Sequence, residues 1–329
     1  MQEDLKRKRI LFIAPPFFDY WKTIKAHLEA DGFRVDTIMS FESSSLANRL
    51  VARYGNEKTK YKSEDRYYNS FIEKGPGYYD YLFVIKGDTL NTGFLKKFKI
   101  NNPNAKLILY EWDSIALFPE ILNITEYFDI IFSFEKEDSQ KYGWVYRPLF
   151  FNEQKCNKDI KKDIDISFIC TLKYERVQIY KQLKKIEKQY HLNIYYYIYV
   201  DKLTYIKRKY IQHDQRYLGV ENKDIYFQPL SQDDTNNIYD RSKILADYTT
   251  QDQNGLSIRS IESIGHNCKL ITNNQEVLKT DFYNPVNICT YKGTSLKISN
   301  DFFTTQYQTP NINVYDYYSL HGWINSIFN

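Results

Sequence analysis

The stretch ILADYTTQDQNGLSIRSIESIGHNCKLITNN, residues 244–274, decides the fold of this chain. Ile244–Ala246 is a short apolar run, and Asp247–Asn254 is too polar to lie in a core. Gly255 then breaks the chain, and Lys269–Thr272 is a second apolar run. The spacing of apolar residues between Gly255 and Lys269 is helical, so the stretch predicts a strand, a loop, a helix and a second strand.

The helix is predicted from the spacing of its apolar residues. Ile258, Ile261 and Ile264 recur every three residues, which places them on one helical face. Gly265 and Asn267 follow and are expected to end the helix.

The amino end of this helix suits an anion. A helix that begins just after a glycine-containing loop presents free N–H groups and the positive end of its dipole. Arg259 lies in the first turn and Glu262 lies one turn further on. A cation near a phosphate and a carboxylate near hydroxyls would hold a nucleotide-sugar. The alternative is an ordinary βαβ unit with a solvated loop, and the local pattern leaves both open.

Composition and charge narrow the class of protein. A chain of 329 residues predicts two domains. The net charge of +4 is too balanced to indicate a nucleic-acid partner. Basic runs occur at Lys6–Arg9, Lys181–Lys188 and Lys202–Lys209, and each is expected to be a solvated helix face or end. An anionic membrane surface stays open as a partner.

The four cysteines, none in a C-x-x-C pair, indicate reduced thiols and no zinc site. The apolar run near the amino terminus stops at Pro15, which makes it too short for a signal peptide or a membrane span. We therefore expect a cytoplasmic protein, either soluble or peripheral at the inner face of a membrane.

The first half alternates apolar runs with helical patterns, which indicates a doubly wound parallel sheet. The predicted strands are Arg9–Ala14, Phe33–Met39, Tyr81–Ile85, Ala105–Tyr110, Phe128–Phe134 and Val145–Pro148. No G-x-G-x-x-G follows the first strand, so a dinucleotide fingerprint is absent there.

The second half repeats this α/β pattern after a lysine-rich stretch, Phe151–Lys162, that is predicted to be a linker. Lys202–Tyr217 is predicted to be one basic helix, and Tyr318–Phe328 a terminal helix. The predicted domains are residues 1–150, residues 151–317, and a helix at 318–329 that crosses back to the first domain.

Ligands of such sheets bind at the carboxyl ends of the strands. In the first half those ends carry Lys86–Asp88, Glu111–Ser114 and Glu135, so several carboxylates are expected to converge on one rim. Asp19 is a further carboxylate expected on this rim.

The stretch Asn254–Gly265 resembles the G-L-x-x-R-x-x-E-x-x-x-x-G pattern of bacterial group-1-like glycosyltransferases from capsule, exopolysaccharide and lipopolysaccharide gene clusters. Lys269–Asn273, Lys86-Gly87, Trp112–Ser114 and Phe132–Asp138 are also similar to members of that group.

The resemblance implies an α/β protein of the GT-B fold, with two Rossmann-like domains facing a central cleft. It implies a hexosyltransferase-type enzyme that moves a sugar from a nucleotide donor, with UDP as the expected nucleotide, to a growing surface glycan on a lipid carrier. The second domain would bind the donor and the first the acceptor.

The same resemblance implies roles for individual residues. Glu262 would accept hydrogen bonds from ribose hydroxyls, and Arg259 would either neutralise the pyrophosphate or brace the loop against the sheet. Further nucleotide contacts are implied for Gly255, Leu256, Ser257, Ile258, Thr171, Lys173 and Arg176. Donor-sugar contacts are implied for Gln251, Asp252, Gln253 and Asn254, although Asn254 stands where many members of the wider group have an acid.

No cofactor and no essential metal are expected. Asp163 and Asp165 form a D-x-D motif, but at the start of a predicted strand instead of its end, so we reject a metal role. If the reaction inverts configuration, a base must deprotonate the acceptor hydroxyl. Asp113 is the first candidate and Asp88 the second. A nucleotide-sugar epimerase and a non-catalytic binder of sugar or nucleotide remain the alternatives.

Overall fold

The computed structural model describes residues 7–328, except 17–18, 42–44, 73, 158, 215–218 and 250–254. The chain divides into two compact units. Unit 1 is Met1–Pro148 with Trp323–Asn329, and unit 2 is Leu149–Gly322.

Unit 1 is built on one parallel sheet in the order β2-β1-β3-β4-β5-β6. Its strands are β1 (Arg9–Ala14), β2 (Arg34–Met39), β3 (Tyr81–Ile85), β4 (Lys106–Glu111), β5 (Ile130–Ser133) and β6 (Val145–Tyr146). Its helices up to residue 148 include α1 (Tyr20–Ala30), α2 (Leu46–Tyr54), α3 (Glu57–Asn69), α4 (Thr92–Asn101) and α5 (Lys136–Tyr142). Every residue of β3 is buried, as expected for a strand covered on both faces.

Unit 2 is built on a second parallel sheet, in the order β12-β11-β10-β7-β8-β9. Its strands are β7 (Ile164–Thr171), β8 (Ile194–Tyr199), β9 (Ile225–Tyr226), β10 (Ser242–Ala246), β11 (Lys269–Thr272) and β12 (Ile288–Thr290). Its helices include α6 (Tyr174–Tyr190), α7 (Lys202–Ile206), α8 (Gln232–Asp240), α9 (Ile258–Gly265), α10 (Asn300–Thr304) and α11 (Ile312–Tyr318).

The order of strands in unit 2 is that of dinucleotide-binding sheets. The chain first adds strands on one side of β7, then reverses and adds β10, β11 and β12 on the other. The neighbouring strands β7 and β10 therefore mark the topological switch point, where such sheets bind ligands.

The prediction of one terminal helix over Tyr318–Phe328 is wrong in one respect, because the helical conformation is interrupted at Ser319. α11 ends at Tyr318 and α12 (Leu320–Phe328) begins after Ser319, whose backbone is extended. The Ser319 hydroxyl donates to the Asp316 carbonyl at 2.7 Å and accepts from the Gly322 N–H at 3.0 Å. One side chain thus ends the first helix and caps the second.

The end of α12 belongs to the core of unit 1. Trp323 is fully buried, and its ring lies 4.7 Å from that of Tyr110 and 6.0 Å from that of Phe83. Phe328 lies 5.3 Å from Phe83. The predicted return of the terminal helix to the first domain is therefore observed as packing within unit 1.

Two further predictions need correction. The basic helix predicted over Lys202–Tyr217 ends at Ile206 and continues as a π-helical turn, Lys207–Ile211, while residues 215–218 lie outside the described part. The stretch predicted as a linker is packed on unit 2: Phe151 is fully buried, and Lys162 Nζ donates to the Ser242 and His266 carbonyls. Contacts with residues distant in sequence fix this stretch, which is why its lysine-rich composition was misleading. Within the described ranges, no helix is both long and apolar enough to cross a bilayer.

Candidate functional site

The strand–loop–helix–strand arrangement predicted for residues 244–274 is observed in β10, α9 and β11. Ser257 caps α9, because its hydroxyl accepts from the Ser260 N–H at 3.1 Å. The helix ends at Gly265, and Asn267 adopts a left-handed conformation with φ of 50°. The Gly255 carbonyl accepts from Asn274 Nδ2 at 2.8 Å, which holds the loop before α9 against the segment after β11.

Asp247, directly after β10, organises this turn, and the sequence reasoning missed it. Its carboxylate is 1% exposed and accepts from the Arg259 guanidinium and, at 2.7 Å, from the Ser257 hydroxyl. The Tyr291 hydroxyl donates to the Asp247 carbonyl at 2.8 Å. The sequence signal that could have identified Asp247 is its position, since it is an acidic residue directly after a buried strand. Asp247 therefore joins the end of β10 to the first turn of α9.

Arg259 braces the turn against the sheet. Besides its ion pair with Asp247, its Nε donates to the Tyr239 hydroxyl at 3.1 Å, and a terminal nitrogen donates to the Ile169 carbonyl at 2.7 Å. The sequence left two roles open for Arg259, and these contacts correspond to the second one, bracing the loop against the sheet. A phosphate contact for Arg259 stays a prediction.

Glu262 is 6% exposed, so the alternative of an ordinary exposed helix residue is wrong. Gln232 Nε2 lies 3.4 Å from Glu262 Oε1. Burial raises the pKa of the neighbouring Tyr239 to about 12, the Arg259 charge lowers it, and the Glu262 carboxylate raises it further. The structure therefore places a carboxylate in the second turn of α9, behind the helix amino end.

The turn between β7 and α6 supplies the other side of the switch point. Lys173 is the exposed residue before α6, and Arg176, in the first turn, donates to the Thr171 carbonyl at 3.2 Å. Burial raises the pKa of Tyr248, two residues beyond β10; Glu175 raises it further and the Arg176 charge lowers it. Arg176 thus lies close enough to the end of β10 for its charge to affect the pKa of Tyr248. The predicted donor-sugar residues, 251–254, lie outside the described residues.

In unit 1 the structure brings Asp88 and Asp113 together around one lysine. Lys86 directly follows β3 and has a left-handed conformation, with φ of 58°. Its Nζ lies 3.3 Å from Asp88 Oδ2 and 3.4 Å from Asp113 Oδ2. The Asp113 side chain is 32% exposed and that of Asp88 is 9% exposed, so Asp113 is the one open to a substrate.

Glu111 lies beneath this pair, at the end of β4, and is fully buried. Its Oε1 accepts from the Gly87 N–H at 3.0 Å, and its Oε2 has no hydrogen-bond partner among the residues that the structure describes. Burial raises the pKa of Glu111 to about 8; the Gly87 N–H lowers it, and the Asp88 and Asp113 charges raise it further. Burial therefore favours the neutral form of this side chain.

Other candidates have structural partners elsewhere. Asp163 pairs with Arg241 at 2.6 Å and Asp165 with Lys243 at 2.8 Å, both at the amino end of β7. Asp19 is exposed and pairs with Lys22 at 3.0 Å. Across the described part of the chain, no three His, Cys, Asp or Glu side chains are grouped so as to hold a metal ion.

A cavity of about 630 Å³ in unit 1 lies away from these groups. Lys25, Asp36 and Tyr79 are among its lining residues, and none of the predicted site residues is. The chemistry-bearing residues lie at the carboxyl ends of the strands instead.

No family model matches the chain, and no curated protein sequence matches it. Solved structures are similar to it in fold. Anabaena Alr3699/HepE, solved in complex with UDP and glucose, is 10% identical, with 98% of each chain covered and a TM-score of 0.57. The fold is GT-B.

Two further GT-B neighbours show the same fold at low identity. A glycosyltransferase from Rickettsia africae is 14% identical over 98% of this chain and 88% of that one, with a TM-score of 0.50. A provisionally assigned UDP-N-acetylglucosamine 2-epimerase from Listeria monocytogenes is 11% identical over 87% of this chain and 84% of that one, with a TM-score of 0.51. At these identities the likeness concerns the fold alone.

Proposed function

We propose that the protein is a glycosyltransferase that moves a sugar from a UDP-linked donor to a growing bacterial surface glycan on a lipid carrier. The observation that carries the proposal is the position of Glu262. It is a buried carboxylate one turn beyond the amino end of α9, in a unit whose sheet has the strand order of dinucleotide-binding sheets. The neighbour HepE, which was solved with UDP and glucose, supports the choice of donor.

The roles in unit 2 follow from the chemistry of each group. A helix amino end binds phosphate oxygens through its N–H groups, here those near Gly255–Ile258. The Glu262 carboxylate accepts hydrogen bonds from ribose hydroxyls. Lys173 and Arg176 stabilise negative charge on the leaving diphosphate, so that the reaction proceeds without an essential metal.

Unit 1 binds the acceptor in this proposal. Asp113 is the base that takes the proton from the acceptor hydroxyl, and Asp88 is the second candidate. The Lys86 ammonium lies 3.3 Å from Asp88 Oδ2 and 3.4 Å from Asp113 Oδ2 and holds the two carboxylates close together. The protein acts in the cytoplasm, in peripheral contact with the membrane that holds the acceptor.

A screen of nucleotides and nucleotide-sugars by thermal shift tests the donor site. A ligand that binds only the native state raises the melting temperature. We expect a shift with UDP and UDP-sugars that Glu262→Ala abolishes. Asp233→Ala is the matched control, because Asp233 is 80% exposed in the same unit. An undiminished UDP shift in Glu262→Ala would show that the ribose assignment is wrong.

The carboxylates of unit 1 favour a second candidate, a nucleotide-sugar epimerase. Epimerisation needs both an acid and a base, and Asp88 and Asp113 are two carboxyl groups held 3.3 and 3.4 Å from one lysine, Lys86. The products separate the candidates. A transferase releases UDP only when acceptor is present, an epimerase yields an altered sugar still joined to UDP, and a non-catalytic binder does neither.

A further inference from the structure

One short segment of unit 2 exposes an unusual density of large apolar side chains. Within nine residues, Leu203 is 76% exposed, Ile206 40%, Tyr210 61% and Ile211 71%. Single exposed apolar residues are ordinary, but a contiguous group marks an interaction surface. The segment comprises α7 and the π-helical turn Lys207–Ile211 that continues it.

Basic residues lie in the same segment as these apolar ones. Lys202 and Lys207 are exposed, and Lys209 Nζ lies 4.9 Å over the Tyr205 ring. Arg208 is the fourth basic residue of the segment. Leu203, Ile206, Tyr210 and Ile211, with Lys202, Lys207, Arg208 and Lys209, are called the apolar-basic surface below.

Two acidic residues near this segment make contacts within it. The Asp201 carboxylate accepts from the Thr204 N–H at 2.8 Å and caps α7. Asp214 Oδ2 lies 3.6 Å from an Arg208 nitrogen. Against these two acids the segment has four basic residues, Lys202, Lys207, Arg208 and Lys209, so it carries a net positive charge around its apolar centre.

We propose that the apolar-basic surface docks on an anionic lipid bilayer. Leucine and isoleucine side chains enter the boundary between headgroups and acyl chains, while lysine and arginine stay at the level of anionic headgroups. Tyrosine, with an apolar ring and a polar hydroxyl, is a typical residue of that boundary. Charge complementarity selects an anionic lipid surface over a neutral one.

Binding to vesicles tests this directly and needs no substrate. The full chain is sedimented with vesicles of phosphatidylcholine, with and without phosphatidylglycerol, at low and high salt. We expect binding to the anionic vesicles at low salt, weak binding to the neutral ones, and loss of most binding at high salt. No binding to anionic vesicles would overturn the proposal.

Matched variants assign the binding to this surface. The pair Leu203→Glu with Ile211→Glu is expected to weaken partitioning about tenfold or more, because it places carboxylates in the apolar centre. Lys202→Glu with Lys207→Glu is expected to weaken it about as much. The control is Lys96→Glu with Ile100→Glu on α4, where Ile100 is 78% exposed and Lys96 is also exposed. Equal loss in the control would show that net charge alone is responsible and would overturn the assignment.

A protein partner gives a different result. One such result is that the wild type self-associates in sedimentation velocity but binds none of the vesicles, and that Leu203→Glu abolishes the self-association. The surface would then be a protein interface, and the lipid proposal would be wrong. Circular dichroism verifies that each variant is folded. Because no step uses UDP or acceptor, this test is independent of glycosyl transfer, so failure of either proposal is recognisable by itself.

Discussion

Asp247 and Arg259 form an ion pair that ties the end of β10 to the first turn of α9, with the carboxylate 1% exposed. Breaking a buried pair leaves one charge without its partner in a poorly solvated place. We therefore expect Asp247→Asn to lower the free energy of unfolding by about 3–5 kcal/mol. Urea denaturation followed by circular dichroism measures it.

An exposed pair in the same unit provides the control. Asp163 and Arg241 are 47% and 43% exposed, and solvent screens such pairs. Asp163→Asn should lower the free energy of unfolding far less than Asp247→Asn does. Equal effects of the two substitutions would contradict a special role for Asp247.

Glu111 should make the stability of the protein depend on pH. Its pKa is raised from 4.5 to about 8, so the folded state binds the extra proton between these values. This contribution to stability is fully present below pH 4.5 and is lost as the pH rises through about 8. Glu111→Gln keeps a neutral side chain at every pH. The variant should therefore exceed the wild type in stability at pH 9, by an amount on the order of 5 kcal/mol.

Urea denaturation at pH 6, 7, 8 and 9 measures this difference. Glu120→Gln, at an exposed glutamate of unit 1, should leave the slope of stability against pH unchanged. A Glu111→Gln variant with the same slope as the wild type would show that Glu111 is ionised throughout this range.

Asp113→Asn tests the proposed base once a donor and acceptor are identified. General base catalysis contributes about 10²–10⁴ in rate, so kcat should fall by that factor while KM for the donor changes little. Glu126→Gln, an exposed acid of the same unit, is the control. Full activity of Asp113→Asn would remove this residue from the mechanism, and Asp88→Asn would then be measured in its place.

Trp323 should be essential to the stability of unit 1. It is fully buried against Phe83 and Tyr110, and its removal leaves a large cavity. Trp323→Ala should cost about 3–5 kcal/mol. Leu117→Ala, at a residue that is 52% exposed, should change stability by less than about 0.5 kcal/mol. A small effect of Trp323→Ala in urea denaturation would mean that the end of α12 is dispensable.

The strands were predictable because their signal is local. Parallel strands covered on both faces are apolar at nearly every position, so Arg9–Ala14 and Tyr81–Ile85 were identified at the bounds that the structure has. The helix α9 was predictable for a similar reason, since its apolar spacing and its Gly265–Asn267 end lie within one short stretch. The break at Ser319 was missed because the same apolar spacing continues through it.

The sequence by itself determined the α/β class, two successive sheets and the stretch 244–274, because these depend on patterns within ten to twenty residues. Only the tertiary structure decided which side chains act together. Arg259 reaches Ile169, Lys86 lies between Asp88 and Asp113, and burial raises the pKa of Glu111. Each of these depends on burial and on contacts between different strands, since desolvation and Coulomb energy are set by distance in space and not along the chain.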